Sequence, residues 1–188
     1  IFFIPDIGLR IRPGGLEDLS WLAEADWVIE AVVEDLSLKQ SILSRVSEVI
    51  SETCVLSSNT SGLSIARLGA MLSPGVSARF LGIHFFNPVR QMRLVEVIPS
   101  SHTDSAVLAR MTVFVEHSLG KRVVECRDTP NFIANRLGVF ALMDVLHRMV
   151  SGALSVEEVD AGTGPLLGRP RSATLRLCDL IGLDTLVK

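Results

Sequence analysis

Residues Trp27-Val-Ile-Glu-Ala-Val-Val33 form a short apolar run, and the segment from Asp35 to Ile50 follows it almost directly. A nearly continuous apolar run of this length is typical of a strand buried on both faces of a parallel sheet. The segment after it carries apolar residues at helical spacing, at Leu38, Ile42, Val46 and Val49. The two segments therefore predict a βα unit, the repeating element of α/β folds.

The same alternation of strands and helices continues as far as residue 126. The predicted strands are Thr53 to Ser57, Val76 to Ile83, Leu94 to Ile98 and Arg122 to Cys126. Between them, the pattern predicts a short helix from Ser64 to Met71 and a longer one capped by Thr103-Asp104 that ends at Gly120. The sequence thus predicts the α/β class, with a mostly parallel, Rossmann-like sheet.

The periodicity changes to helical at Asp128-Thr129-Pro130, where Thr129 is a candidate cap and Pro130 the candidate first helical residue of a helix that reaches Gly152. Ser155-Val-Glu-Glu158 has the spacing of a capping box for a second helix, and Ala173 to Ile181 is predicted as a third. We therefore predict two domains, residues 1–127 and 128–188. The second is all-helical, and only its beginning is expected here, because so few helices bury little apolar surface by themselves.

Composition excludes several classes of function. Of the 188 residues, 48% are hydrophobic, and the net charge is −3 with scattered Lys and Arg, which argues against a nucleic-acid partner. The sequence has neither an apolar run long enough to span a membrane nor a signal-peptide pattern, so a cytoplasmic or organelle-matrix protein is expected. Cys54, Cys126 and Cys178 are far apart and odd in number, which predicts small core residues rather than a disulfide or a metal site.

The run Gly82-Ile-His-Phe-Phe-Asn-Pro88 and the following Leu94-Val-Glu96 contain the candidate catalytic pair. His84 falls at the end of one predicted strand and Glu96 within the next, so a turn at Asn87-Pro88 can bring them together. An imidazole oriented by a carboxylate is a general base near neutral pH. From the pattern alone, His84 can equally be a hydrogen-bonded structural histidine and Glu96 a solvent-facing strand residue.

With these residues, the chain resembles the L-3-hydroxyacyl-CoA dehydrogenase family, and in particular the dehydrogenase portion of bacterial fatty-acid oxidation proteins. The resemblance runs from about residue 12 to the C-terminus and rests on five segments in the family's order. They are residues 25–34, 57–61, 82–88 with 94–97, 128–136 with the sequence Asp128-Thr-Pro-Asn-Phe-Ile-Ala-Asn-Arg136, and 164–170 with 182–185.

The resemblance implies oxidation of a 3-hydroxyacyl-CoA to a 3-ketoacyl-CoA with NAD as the hydride acceptor, in fatty-acid β-oxidation. His84 matches the base and Glu96 the carboxylate that holds its far ring nitrogen. Ser61 matches a serine near the substrate oxygen and the nicotinamide, and Asn135 matches an amide that supports the histidine. A homo-oligomer, such as a dimer, is the implied assembly.

The resemblance further implies an NAD site lined by Glu34, Lys39, Ser61 and Asn87. In the family, the first strand leads into Gly-x-Gly-x-x-Gly at a helix start, whose amides hold the pyrophosphate. The residues before Trp27 have no such motif. We therefore expect weak NAD binding by this chain alone, and we expect either a fragment of a longer dehydrogenase or a natural protein without the first βαβ half.

Two other functions stay open at this stage. One is a catalytically incomplete relic, or a self-association module, of the same fold. The other is a related NAD-dependent dehydrogenase of a different hydroxy acid, which would share the sheet and the general base. The Phe85-Phe86 pair and residues 128–136 favour the acyl-CoA enzyme. The acyl chain length is not readable from the sequence.

Overall fold

The computed structural model describes residues 5–152 and 154–182, so Gly182 is the last described residue and Asp184, with the rest of its predicted motif, lies outside the described part. The chain divides into two compact units, residues 1–133 and 134–188.

Unit 1 is built on a five-stranded sheet in the order β1-β2-β3-β4-β5. Neighbouring strands are parallel except for the antiparallel pair β3 and β4. The mostly parallel sheet predicted from the sequence is therefore confirmed. The strands are β1 (Trp27–Glu30), β2 (Val55–Ser58), β3 (Phe80–Phe85), β4 (Leu94–Pro99) and β5 (Arg122–Glu125).

Four α-helices connect these strands, and polar caps fix where the two long ones begin. The Asp35 carboxylate accepts a hydrogen bond from the Leu38 N–H at 2.8 Å, and that of Asp104 accepts one from the Ala106 N–H at 2.7 Å. The helices are α1 (Leu36–Ser47), α2 (Ile65–Leu68), α3 (Pro74–Ser77) and α4 (Ser105–His117), with 3₁₀ turns at Pro5–Arg10, Leu19–Glu24 and Gly69–Met71.

The core of unit 1 has two parts, one on each face of the sheet. Adjacent residues of a strand point to opposite faces, and Leu56 packs with Leu43 of α1 and Ile65 of α2, whereas Val55 packs with Met111 and Val115 of α4. Cys54 and Cys126 are buried free thiols, as predicted. This double covering explains why the strands read as continuous apolar runs.

Some predicted boundaries of unit 1 are wrong. The strand predicted from Val76 begins instead at Phe80, because Ser73 is extended, Pro74 supplies a preset helical φ, and the Ser77 N–H bonds to the Ser73 carbonyl at 2.8 Å. Strand β1 ends at Glu30 rather than Val33, whose side chain is exposed.

Unit 2 contains α5 (Ala134–Gly152), α6 (Val156–Thr163) and α7 (Leu175–Ile181), with a 3₁₀ turn at Pro165–Leu167. The predicted capping box at the start of α6 is present. The third helix starts two residues later than predicted, because Ala173 has a φ of 50° and the Asp160 carboxylate accepts hydrogen bonds from the Thr174, Leu175 and Arg176 amides. Among the described residues, no helix is both long and apolar enough to cross a membrane.

The predicted helix start at Pro130 is also wrong. Helix α5 begins at Ala134, because Asn131 and Phe132 have positive φ values of 62° and 49°, which a right-handed helix does not accommodate. The residues just before α5 form a turn at the end of unit 1, and this turn lies beside the predicted catalytic pair.

Candidate active site

His84 and Glu96 form the centre of the candidate active site. They lie directly opposite each other in the antiparallel pairing of β3 and β4, and His84 Nδ1 is 2.8 Å from Glu96 Oε2. Both residues are buried, at 4% and 1% exposed. The pairing expected from the sequence is therefore present, and the sheet register produces it: opposed residues on one face of an antiparallel pair are close enough to interact.

Two phenylalanine rings enclose the imidazole of His84. The ring centroids of Phe86 and Phe132 lie 4.4 Å and 5.9 Å from that of His84. Phe132 is 1% exposed, so it shields this side of the site from water. Exclusion of water strengthens the interaction between the imidazole and the Glu96 carboxylate, because less solvent screens it.

The second oxygen of Glu96 is also held. Oε1 accepts a hydrogen bond from the backbone N–H of Ile133 at 3.0 Å. The thiol of Cys126 lies nearby: burial, followed by the charge of Glu96, raises the pKa of Cys126 to about 12. Cys126 is therefore a neutral thiol near physiological pH.

A second buried cluster lies at the carboxyl end of β1. Glu30 is 5% exposed, and its Oε1 accepts hydrogen bonds from Lys39 Nζ at 2.8 Å and the Val32 N–H at 2.7 Å. Its Oε2 accepts one from Ser58 Oγ at 2.5 Å. Both oxygens of this buried carboxylate are therefore paired, as a charge inside a protein requires.

Lys39, a predicted NAD-site residue, belongs to this buried cluster. It is 1% exposed, and its ammonium contacts Glu30 at 2.8 Å, the Val32 carbonyl at 3.0 Å and Glu34 Oε2 at 3.3 Å. In this arrangement the ammonium is surrounded by protein acceptors. Lys39 thus lies behind the site surface and orients Glu34, which the sequence pattern did not indicate.

Glu34 connects the cluster to the loop after β2. Its Oε1 accepts hydrogen bonds from the Thr60 hydroxyl and from the Ser61 N–H, the latter at 3.0 Å. Burial raises the pKa of Glu34, but the Thr60 hydroxyl, the charge of Lys39 and the Ser61 amide together outweigh it, so the net shift is downward. The Glu34 side chain is 44% exposed and therefore offers an ionised carboxylate at the surface.

The remaining predicted residues of unit 1 lie at the same edge of the sheet. Asn59 Oδ1 accepts the Phe85 N–H at 2.9 Å, and the Asn59 N–H bonds to the Glu30 carbonyl at 2.8 Å, which ties the ends of β1, β2 and β3 together. Ser61 and Asn87 follow β2 and β3 and are exposed. The fold therefore gathers Glu34, Ser61, Asn87 and the His84–Glu96 pair at one sheet edge. Asn135 is the second residue of α5 and belongs to unit 2.

Three groups in this region were missed in the sequence. Glu30 has a readable signal, since one carboxylate inside the apolar run of β1 needs a buried partner. Asp128 is predicted as the start of a helical region and of a family segment, and the structure shows in addition that its carboxylate caps α2 through the Ile65 and Ala66 amides at 2.9 Å each. The backbone amide of Ile133 has no side-chain signal, so only the folded structure reveals its bond to Glu96.

A Rossmann-like sheet with an imidazole–carboxylate pair and exposed polar loops at the carboxyl ends of its strands fits the class of nucleotide-dependent dehydrogenases. Residues 10–129 match the family model described as 3-hydroxyacyl-CoA dehydrogenase, NAD binding domain, and residues 132–188 match the 3-hydroxyacyl-CoA dehydrogenase, C-terminal domain. The chain belongs to the 3-hydroxyacyl-CoA dehydrogenase family, as the resemblance indicated.

Curated relatives and solved structures agree with this assignment. Two proteins named "Probable 3-hydroxyacyl-CoA dehydrogenase", from Bacillus subtilis and Deinococcus radiodurans, are 50% and 44% identical and match 93% and 97% of this chain. A Rickettsia prowazekii relative, 37% identical over 97% of this chain, bears a name that refers to a fatty acid oxidation complex. The crystal structure of Mycobacterium tuberculosis FadB2 has a TM-score of 0.83 at 40% identity and covers 90% of this chain.

The matched relatives are considerably longer than this chain. The chain spans 22% of the Bacillus protein, 53% of the Deinococcus protein and 59% of the FadB2 chain. The similarity therefore covers only part of the length of each relative.

Proposed function

We propose that the protein carrying this sequence oxidises (S)-3-hydroxyacyl-CoA to 3-ketoacyl-CoA with NAD, in fatty-acid β-oxidation. The observation that carries the proposal is the buried His84–Glu96 pair, joined at 2.8 Å and placed at the carboxyl edge of the sheet. Family membership and the fatty acid oxidation complex relative support the substrate class. The location in the cytoplasm stays a prediction.

In this proposal, His84 takes the proton of the substrate's 3-hydroxyl group. A carboxylate can only accept hydrogen bonds, so ionised Glu96 keeps the imidazole proton on Nδ1 and leaves Nε2 as the acceptor. As His84 becomes positively charged, Glu96 stabilises it at close range. The pair thus provides general-base catalysis without an external base.

The residues at the sheet edge fit the ribose and nicotinamide portions of NAD. Glu34 offers an ionised, 44% exposed carboxylate that can accept hydrogen bonds from ribose hydroxyls, and Ser61 and Asn87 are exposed polar residues that follow β2 and β3. Bound NAD supplies the hydride acceptor of the reaction. Lys39 would act through Glu34 rather than on a phosphate, because its ammonium is buried among protein acceptors.

Ser61 and Asn135 complete the proposed catalytic set. The Ser61 amide is fixed by Glu34 at 3.0 Å, which places its hydroxyl group at the exposed loop after β2. We assign Ser61 to the substrate oxygen; the role of Asn135 as an amide that supports the histidine stays a prediction from the resemblance to the family.

A substrate comparison tests the proposal. The protein should reduce acetoacetyl-CoA with NADH, measured by loss of absorbance at 340 nm, and should act on free acetoacetate at least about 100-fold more slowly. Efficient turnover of the free acid, with no preference for the CoA thioester, would favour the other hydroxy-acid dehydrogenase reading. No turnover of either compound would support a non-catalytic relic.

Self-association is the second property that we propose, and α5 carries the argument. No described residue of this 19-residue helix is buried. The exposed residues include large apolar ones: Leu137, Phe140 and Val150 are 65%, 74% and 84% exposed. Apolar surface of this extent is typical of an interface.

Light scattering should give a dimer or a larger species. Phe140→Glu should dissociate this species, whereas Arg148→Glu, at an exposed polar position of the same helix, should not. A monomer at every tested concentration would contradict the proposal.

A further inference from the structure

The turn that precedes α5 contains two consecutive left-handed residues that are not glycine. Asn131 has a φ of 62° and Phe132 a φ of 49°. Asparagine tolerates this region of backbone conformation, whereas a bulky residue such as phenylalanine rarely adopts it. Conformations of this kind persist only where surrounding contacts fix them, and they concentrate at functional sites.

Contacts on the amino-terminal side hold this turn. The Asp128 carboxylate accepts hydrogen bonds from Ser64 Oγ and the Ile65 N–H, each at 2.9 Å. The Phe132 N–H bonds to the Thr129 carbonyl at 3.0 Å. The Asn131 side chain packs so closely against Gly62 that a Cβ at residue 62 would lie 2.7 Å from Asn131 Oδ1. The turn is therefore fastened to α2 and to the loop that carries Ser61.

Contacts on the other side reach both members of the candidate catalytic pair. The Ile133 N–H donates a hydrogen bond to Glu96 Oε1 at 3.0 Å, and the ring centroids of Phe132 and His84 are 5.9 Å apart. Glu96 Oε2 meets His84 Nδ1 at 2.8 Å. The imidazole and the Ile133 amide therefore bind the two oxygens of one carboxylate, and together they fix the orientation of the carboxylate plane.

We propose that the Asn131-Phe132-Ile133 turn is the positioning element of the His84–Glu96 pair: its left-handed backbone aims the Ile133 amide at Glu96 and thereby holds the imidazole as the single Nδ1–H tautomer. The three residues act through Glu96 and His84 and do not themselves contact the reacting atoms. The catalytic use of this tautomer rests on the proposed function, but the tautomer itself does not.

Two substitutions at one position form the test. Asn131→Gly keeps the left-handed conformation accessible, whereas Asn131→Val places a β-branched residue where φ is positive and opposes it. Long-range ¹⁵N–¹H correlation spectra of neutral His84 report which ring nitrogen carries the proton. We expect a single Nδ1–H form in the unaltered chain and in Asn131→Gly, and a mixture of tautomers in Asn131→Val. In the protein that carries this sequence, Asn131→Val should lower kcat at least about 10-fold with little change in KM for NADH.

The same spectra can also contradict the proposal. An Nε2–H tautomer in the unaltered chain, or a single Nδ1–H form in a folded Asn131→Val chain, would overturn it. If Asn131→Val does not fold, the unaltered chain still gives an answer: a through-hydrogen-bond coupling between the Ile133 nitrogen and the Glu96 carboxylate carbon supports the proposal, and its absence with rapid exchange of that amide refutes it. A tautomer change as expected, without activity on acetoacetyl-CoA, leaves the positioning role intact and removes only the proposed reaction.

Discussion

Lys39 Nζ lies 2.8 Å from Glu30 Oε1, and both side chains are almost completely buried, at 1% and 2% exposed. The pair supports the exposed face of the site, because Lys39 also contacts Glu34 and Glu30 also binds Ser58. A buried pair of this kind is costly to break, since removal of one partner leaves an uncompensated charge inside the protein.

Lys39→Met should therefore destabilise the fold by about 3–5 kcal/mol, measured as the free energy of unfolding in urea. Adding Glu30→Gln to this variant should recover part of the loss, because the second change removes the stranded carboxylate. The control is Arg148→Met, which breaks the Arg148–Asp144 pair at 2.8 Å between side chains 74% and 51% exposed and should leave stability almost unchanged. Equal losses in Lys39→Met and Arg148→Met would refute the structural role assigned to Lys39.

Glu34 gives a prediction about pH. Its folded pKa is lowered from 4.5, so the ionised form stabilises the folded state above about pH 4.5, and this contribution is lost as the pH falls through the folded value. The unaltered chain should accordingly be more stable than Glu34→Gln at pH 7, and the difference should shrink on acidification. Urea unfolding at pH 7 and at pH 3.5 measures it, with exposed Glu52→Gln as the control. A stability difference that grows as the pH falls would contradict the lowered pKa of Glu34 in the folded state.

The three cysteines should be unreactive in the native protein. Cys54, Cys126 and Cys178 are 0%, 3% and 7% exposed, and burial raises the pKa of each thiol, that of Cys126 to about 12. The thiolate is the reactive species, so burial and the raised pKa act in the same direction. Mass spectrometry after iodoacetamide treatment at pH 8 should find no label in the native state and three labels in urea. Rapid native labelling of Cys126 would place that thiol outside the Glu96 pocket.

Much of the fold was predictable because burial leaves a periodic record in the sequence. The strands of unit 1 that are covered on both faces appear in the sequence as apolar runs. Asp35, Asp104 and Ser155 are typical N-cap residues, and each indicates where a helix begins. The opposition of His84 and Glu96 was predictable too, because the turn between two short strands limits the possible registers.

The errors come from backbone conformations and long-range partners. Pro130 suits a first helical residue, but the positive φ values at Asn131 and Phe132 delay α5 to Ala134, and these depend on contacts with distant residues such as Ser64 and Gly62. Lys39 is predicted to line the NAD site, whereas its ammonium is buried against Glu30, which lies nine positions earlier on a strand. Such partners become neighbours only when the chain folds.

The central claim is that His84 is the general base of a 3-hydroxyacyl-CoA dehydrogenase. The most direct test is kcat for acetoacetyl-CoA reduction by NADH in the protein carrying this sequence, compared between His84→Ala and the control His117→Ala, which alters an exposed histidine at the end of α4. We predict a loss of about 10²–10⁴-fold for His84→Ala, with KM for NADH nearly unchanged, and no loss for His117→Ala. A His84→Ala enzyme with the kcat of the unaltered protein would contradict the account.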